Sequence, residues 1–498
     1  MRNDMDPTGG TWQYRRRRTG LPQDDRLSAL PDDVLHRILS RLDFLDVVRT
    51  CVLSRRWRYL WASSPNLNFD VDWFHRHNTG KFPASLDLHR KFWDFIKWCL
   101  LMRDEESQLT RLCVSINCTM AAQLNMLLQV AGKRRVRELQ ILNGDYSVTP
   151  LNFPRHLCES LTKLTLNFRD DIPIHVSSKF CNLTSLHLTR VGLPSCAISK
   201  IFSSDCIKLE EIHLEDCQIG NVLQIDIIAS HLKYMTIVNV STTEGALWYV
   251  GSFDTLIKIS APNLLSFSYV GPLLRGLVFE DTTSLDKVTI RLLRVPIQSQ
   301  YKNHLYCPAR FIGLNHAKTL ILSSFVVKHF SRAYNNVSWD SFILDKVTSL
   351  EVEIKYSAFH IDGLVNLMKF TPNLETLFIR FKVGKRGGWS RTRKRKGYVE
   401  IPWVLRVEDI PCLSHQLEVI RISHLNGEEN ALELLKFLLL NGRVLKKMEI
   451  PHVTNEVKRR YFSKSAKLDK ASSDVVISFP KPYIRAVPWF DKYDSDAE

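Results

Sequence analysis

The stretch Leu209–Ile219, LEEIHLEDCQI, decides the fold. Leu209, Ile212 and Leu214 form an LxxLxL triad, and Cys217 and Ile219 extend it. Ile212 and Leu214 are two residues apart, so in an extended chain they share one side, while Glu211, His213 and Glu215 share the other. The triad recurs on both sides of this copy. Toward the N-terminus it begins at Leu183, Leu161, Val136 and Leu109. Toward the C-terminus it begins at Leu232, Leu264, Leu285, Ala317, Val347, Leu374, Leu417 and Leu445. All spacings but one lie between about 21 and 32 residues, and self-similarity at such a period marks a repeat architecture. One unit cannot cover its own apolar edge, but stacked units bury theirs in a continuous core.

The triad and its period resemble leucine-rich repeats, which implies a parallel sheet lining the concave face of an arc. The copies at Leu264 and Ala317 are degraded, because Phe267 and Tyr269 replace aliphatic residues in one and Ala317 opens the other. The residues between the leucines point outward. They include Lys163, Thr165 and Asn167; Ser185, His187 and Thr189; Thr236 and Val238; Ser349 and Glu353; and Thr376. The candidates for reading a partner are His187, Glu211, His213, Glu215, Tyr234, Glu351, Phe378 and Arg380. Most outward positions are expected to be merely solvated, and their mixed charge names no ligand.

Upstream lies Asp25–Asp70, DRLSALPDDVLHRILSRLDFLDVVRTCVLSRRWRYLWASSPNLNFD. Val34, Leu35, Ile38, Leu39 and Leu42 recur at helical spacing. Pro31 suits a first helical turn, and Asp32 and Asp33 complement the helix dipole there. A second helical segment carries Val47, Val48, Val52, Leu53, Trp57, Leu60 and Trp61. About 45 residues cannot bury this much apolar surface alone, so part of it should face a partner. With Leu30-Pro31, Ile38-Leu39-Ser40-Arg41-Leu42 and Val52-Leu53-Ser54-Arg55-Arg56-Trp57, the segment resembles an F-box. The resemblance implies docking onto a Skp-type adaptor and, through it, cullin and RING subunits of a ubiquitin ligase. The adaptor-binding candidates are Leu30, Pro31, Val34, Leu35, Ile38, Leu39, Val47, Val48, Val52, Leu53 and Trp57, any of which, Trp57 especially, can instead be module core, as can Leu42.

Val71–Leu88 reads as irregular. His89–Arg103, HRKFWDFIKWCLLMR, carries a helical stripe of Phe92, Phe95, Ile96, Cys99 and Leu100, which suits a cap coupling the F-box to the arc or a partner-binding helix. Downstream, His415–Ile450 reads strand, turn, helix, strand, with Asn426-Gly427 at the turn and Asn441-Gly442 ending the helix. This segment resembles the FBD module, with a closing Leu-Lys-Lys-Met at Leu445–Met448. F-box, leucine-rich repeats and FBD in this order resemble a large plant family of substrate receptors. The expected fold is α/β: a three-helix-type F-box, a leucine-rich-repeat solenoid and an FBD cap. Its expected segments are a basic unstructured leader 1–24, F-box 25–70, linker and cap 71–108, repeats 109–400 with a basic insertion 382–398, FBD 401–480 and acidic tail 481–498.

The 498 residues have ordinary globular composition, 45% hydrophobic and 24% charged. A net charge of +16 raises nucleic acid as a partner. Part of that charge is concentrated in Arg15–Arg18 and in Lys382–Lys396, KVGKRGGWSRTRKRK. The second run suits a solvated loop, a nuclear-import signal, or phosphate contact with Trp389 stacking on a base. No membrane partner is expected, because the best apolar run, Leu432–Leu440, is short and broken by Glu433 and Lys436. MRNDMDPTGG has no apolar core of a secretory signal, so the eleven cysteines are expected reduced, mostly buried and without disulfides. No CxxC, HExxH, GxSxG or GxxxxGK motif occurs. Cys412 and His415 stand alone, and His187 with His213 is too few ligands for zinc. Catalytic residues, cofactors and metals are therefore not expected. The expectation is a non-catalytic substrate receptor, nuclear or cytoplasmic or both, that binds the adaptor and an unknown target protein. A nucleic-acid-binding or small-ligand-sensing scaffold is the alternative, with nucleic acid the weaker partner.

Overall fold

A computed structural model describes residues 27, 29–42, 44–79, 86–116, 121–144, 149–202, 208–220, 222–240, 255–272, 274–292, 311–333, 343–382, 410–425, 427–451, 453 and 470–480. The basic leader, the insertion beyond Lys382, the acidic tail and the Asn426 of the turn lie outside the described residues.

The thirteen repeat triads and four further strands form one parallel sheet of seventeen strands. Its ladder runs from Asn66–Asp70 through Arg111–Ser115 and on to Lys447–Glu449 and Val476–Ser478. The register matches the repeat. Leu67, Leu112, Leu139, Leu164, Leu186, Ile212 and Met235 stand side by side. Phe267, Val288, Leu320, Leu350, Leu377, Ile420 and Met448 continue the row. None of these fourteen side chains is more than 2% exposed. A slip of one residue in any strand would turn its apolar set outward, so burial fixes the register. The two degraded copies are full rungs, Ser266–Gly271 and Thr319–Leu322. Phe267 meets Phe279 edge-on at 5.0 Å, so the larger ring fills space between layers.

The return segments differ along the chain. Several are helices, including Ala121–Lys133, Ser324–Ala333, Ala358–Lys369 and Glu429–Asn441. Between them, Gln224–Ile228, Leu256–Ser260, Gly276–Glu280 and Phe311–Ile312 form a second, four-stranded parallel sheet. Ile225 and Ile227, Ile257 and Ile259, and Leu277 and Phe279 are its buried alternating residues. That period of two in β-branched sequence favours strand over helix.

The N-terminal module is fused into the sheet. Helices Asp32–Leu39, Phe44–Arg49 and Trp57–Leu60 pack around Leu35, Leu39, Phe44, Val47, Trp57 and Leu60. The module then ends in strand Asn66–Asp70, which pairs with the first repeat strand at Arg111–Ser115. The region expected to be irregular begins with a helix instead, Val71–Thr79. Its start is set by Asp70, whose Oδ1 accepts the Trp73 N–H at 2.9 Å as an N-cap does. The cap helix is Leu86–Leu101, with Phe92, Ile96 and Cys99 inward as expected, joined by Trp93. The C-terminal segment forms strand Val419–Ser423, helix Glu429–Asn441 and strand Lys447–Glu449, continuing the same ladder.

His360 should give the fold a pH dependence. It is buried near the start of Ala358–Lys369, its Nδ1 2.6 Å from Ser357 Oγ. Burial, then the ammonium groups of Lys328 and Lys355, push its pKa down to about 3. Unfolded histidine titrates near ~6.5, so the unfolded chain takes the proton first. The stability tied to neutral His360 is complete above pH ~6.5 and is lost as pH falls toward the folded value. We expect the urea midpoint to fall less between pH ~7 and ~4.5 in His360→Gln than in the wild type. Parallel slopes would remove His360 as a cause.

Candidate functional site

Two faces present themselves, and the first lies on the N-terminal helices. Leu35, Leu39, Val47 and Trp57, expected among the adaptor contacts, are buried in the chain's own core. They are corrected to core, because a side chain already packed on Phe44, Leu60 and Trp61 offers no area to a partner. Leu30 and Val48 are half-buried against that core. Pro31, Val34 and Ile38 remain exposed, as do Leu42, Val52 (83%) and Leu53 (63%). Val34 and Ile38 are four apart and share a helix face.

This surface is held by polar contacts at its margins. Arg56 pairs with Asp32 at 2.5 Å, tying the Ser54–Trp57 turn to the first helix. His36 Nε2 lies 3.3 Å from Leu60 O and 3.2 Å from Ser63 Oγ. Trp73 Nε1 donates to Asp46 Oδ2 at 3.1 Å, joining the second helix to the segment after the module.

The second face is the outward row of the large sheet. His187 and His213 are register partners with ring centroids 5.7 Å apart. His187 Nε2 lies 3.3 Å from Glu211 and His213 Nε2 3.5 Å from Glu215. Tyr234 is the next residue along Glu211's row and is half exposed. Glu215 is a correction. It is buried, between Thr189 and Val238 in the ladder and one residue before left-handed Asp216 (φ 52°), so it faces His213 and not a partner. Further along, Glu351 pairs with Arg380 at 3.5 Å, and the Arg421 guanidinium sits 5.4 Å over the Phe378 ring. Arg421 also pairs with Glu449. The structure thus brings the expected residues together in two groups, around His187–Tyr234 and around Glu351–Arg380.

Sequence reasoning left out Arg421, Lys447 and Glu449. They hold the same outward positions in the triads at Leu417 and Leu445, so the signal was present. It also left out a polar group at the register break between the strands Lys163–Val176 and Ser185–Leu193, for which no motif exists. There burial pushes the Asp171 carboxyl up to about 6, Arg190 opposes this, and Asp216 and Asp170 add to it. Gln218 Nε2 donates to Asp171 Oδ2 at 2.6 Å, and Arg190 lies 3.6 Å from Asp216.

The buried thiols are held in their protonated form. Burial pushes the Cys217 and Cys412 thiols up to about 12, away from the thiolate a nucleophile needs. Cys412 Sγ donates to Met368 O at 3.5 Å as a packed core residue does. Among the described residues no group of three His, Cys, Asp or Glu side chains is placed to hold a metal. No described helix is long and apolar enough to cross a membrane.

Comparison with known proteins adds two domains and a set of relatives. Residues 27–69 match the F-box domain and residues 408–450 match the FBD. Two Arabidopsis thaliana proteins named as F-box/FBD/LRR-repeat proteins, one of them putative, are each 26% identical to this chain. The alignments cover 86% and 87% of it and 91% and 90% of the relatives. A putative FBD-associated F-box protein of the same plant is 32% identical over 219 residues, 43% of this chain and 51% of the relative.

Proposed function

We propose that the chain, which carries an F-box and an FBD and resembles F-box/FBD/LRR-repeat proteins over most of its length, is the substrate-recognition subunit of a Skp–cullin–F-box ubiquitin ligase. Its F-box implies a Skp-type adaptor as partner, and F-box proteins are in general non-catalytic adaptors. The observation that carries the reading is the exposed apolar face of Pro31, Val34, Ile38, Val52 and Leu53, on a module whose core is already complete without them. The outward row of the sheet holds a target protein beside the ubiquitin-charged enzyme, and proximity supplies the acceleration without side-chain chemistry from this chain.

The outward row is largely neutralised within itself. Arg111 and Lys163 flank Glu138 at 4.0 and 3.3 Å, and Arg380 and Arg421 each meet a glutamate. Such a face suits a protein of mixed charge better than a polyphosphate. Pull-down of the full chain with a plant Skp-type adaptor tests the reading at low and high salt. One-to-one binding that survives high salt is expected of an apolar interface, whereas phosphate binding weakens steeply with salt. No adaptor binding at either salt would overturn the proposal.

A further inference from the structure

The cap helix Leu86–Leu101 changes character at one end. Along most of its length its exposed side is charged, with Asp87 paired to Lys91 at 3.1 Å, Asp94 to Lys97 at 3.6 Å, and Arg90 exposed between them. In the last turn the charges stop. Trp98 is 42% exposed, Leu101 81% and Met102 58%. These residues are three and four apart and so lie on one face. Isolated exposed apolar side chains are ordinary, but three large ones together at the end of a charged helix are not.

That end is also where the helix meets the F-box. Trp61 of the F-box stacks on Trp98, ring centroids 5.1 Å apart and planes 23° apart. Just past the helix, Arg103 is buried and donates to Ser64 O at 2.5 Å and to Gln108 O at 3.0 Å. The Asp104 N–H and Ser107 Oγ both reach Ala62 O at 3.4 Å. The last turn is therefore fastened to residues 61–64 of the F-box, the module that carries the exposed apolar residues.

We propose that the adaptor's footprint runs past the F-box onto this turn, with Trp98, Leu101 and Met102 seated against an apolar patch of the Skp-type adaptor. The proposal rests on the adaptor reading above. Apart from Tyr59, the exposed apolar residues of the F-box are aliphatic, whereas protein interfaces are anchored by large aromatic and adaptable side chains. A standard interface also takes roughly 800 Å² from each partner, a demanding area for about 43 residues that spend part of theirs on their own core. The adjoining turn supplies both an aromatic anchor and further area, and because it is already pinned, binding orders little.

The test is calorimetric titration of the full-length chain with a plant Skp-type adaptor, comparing wild type with Leu101→Asp/Met102→Asp. Both side chains lie outside the core, so the unfolding midpoint should not move. A milder Leu101→Ser/Met102→Ser variant serves if it does. We expect Kd to weaken by roughly 10- to 100-fold, the range for losing one or two anchors. Equal Kd values on top of firm wild-type binding would overturn the extended footprint and leave the F-box reading standing. Absence of wild-type binding would overturn both. A wild-type dimer that the substitutions dissociate, with adaptor affinity unchanged, would assign the patch to a second copy of the chain and equally overturn the proposal.

Discussion

Val34→Asp combined with Ile38→Asp abolishes adaptor binding, with Kd weakened by at least ~100-fold, while the unfolding midpoint stays close to that of the wild type. The two side chains lie on one exposed face of Asp32–Leu39, and the adjacent face, Leu35 and Leu39, holds the helix to the module. Placing two carboxylates in an apolar contact costs several kcal/mol, because each must be desolvated without a partner. In the free chain they stay in water, and aspartate is about as tolerable in a helix as valine or isoleucine. Truncating Leu30 and Pro31 is less clean. Leu30 packs partly on the core, and the Pro31 ring fixes the backbone at the N-cap of the helix, φ -59°. Full binding by the double aspartate variant would place the adaptor on another face.

The contrast between Val34 and Leu35 shows where the sequence stops being informative. The helix carries apolar residues at 34, 35, 38 and 39, two adjacent stripes, because it serves a core and a partner at once. Periodicity reveals both stripes and labels neither, so buried Leu35, Leu39, Val47 and Trp57 read as contacts. The rungs were legible for the opposite reason. Only one side of each strand is apolar, and the stacking that buries it is dictated by the period, so Leu112, Leu164 and Leu350 fall where the triad places them. Strand Asn66–Asp70 escaped notice because Leu67 and Phe69 make only two inward positions, inside a segment already assigned to the F-box. The outer sheet escaped because the return segments share no triad, and only local alternation such as Ile257 and Ile259 marks them. Glu215 escaped because burial at a strand end depends on where the next residue turns, and Asp216 turns left-handed.

Gly363→Ala should destabilise the chain by about 2–4 kcal/mol, opposite in sign to the usual effect of removing a glycine from a helix interior, which stabilises by up to ~1 kcal/mol. Gly363 lies within Ala358–Lys369, where that helix packs against Ser324–Ala333. A Cβ there would sit 2.1 Å from Val327 O, 3.0 Å from Val327 C and 3.3 Å from Ser331 N. All three are backbone atoms, so no rotamer change relieves the clash and the helices must separate. Those helices follow neighbouring rungs, Thr319–Leu322 and Ser349–Ile354, which also pair directly. In a solenoid each repeat is held by its neighbours, and stability is a sum of units and interfaces. Weakening this interface should therefore lower cooperativity as well as the midpoint, so that chemical denaturation of Gly363→Ala broadens or splits into two steps. Adaptor affinity should be unchanged, because the F-box contacts belong to the other end of the array. A variant as stable as the wild type, or more so, would mean that the two helices do not approach as closely as described.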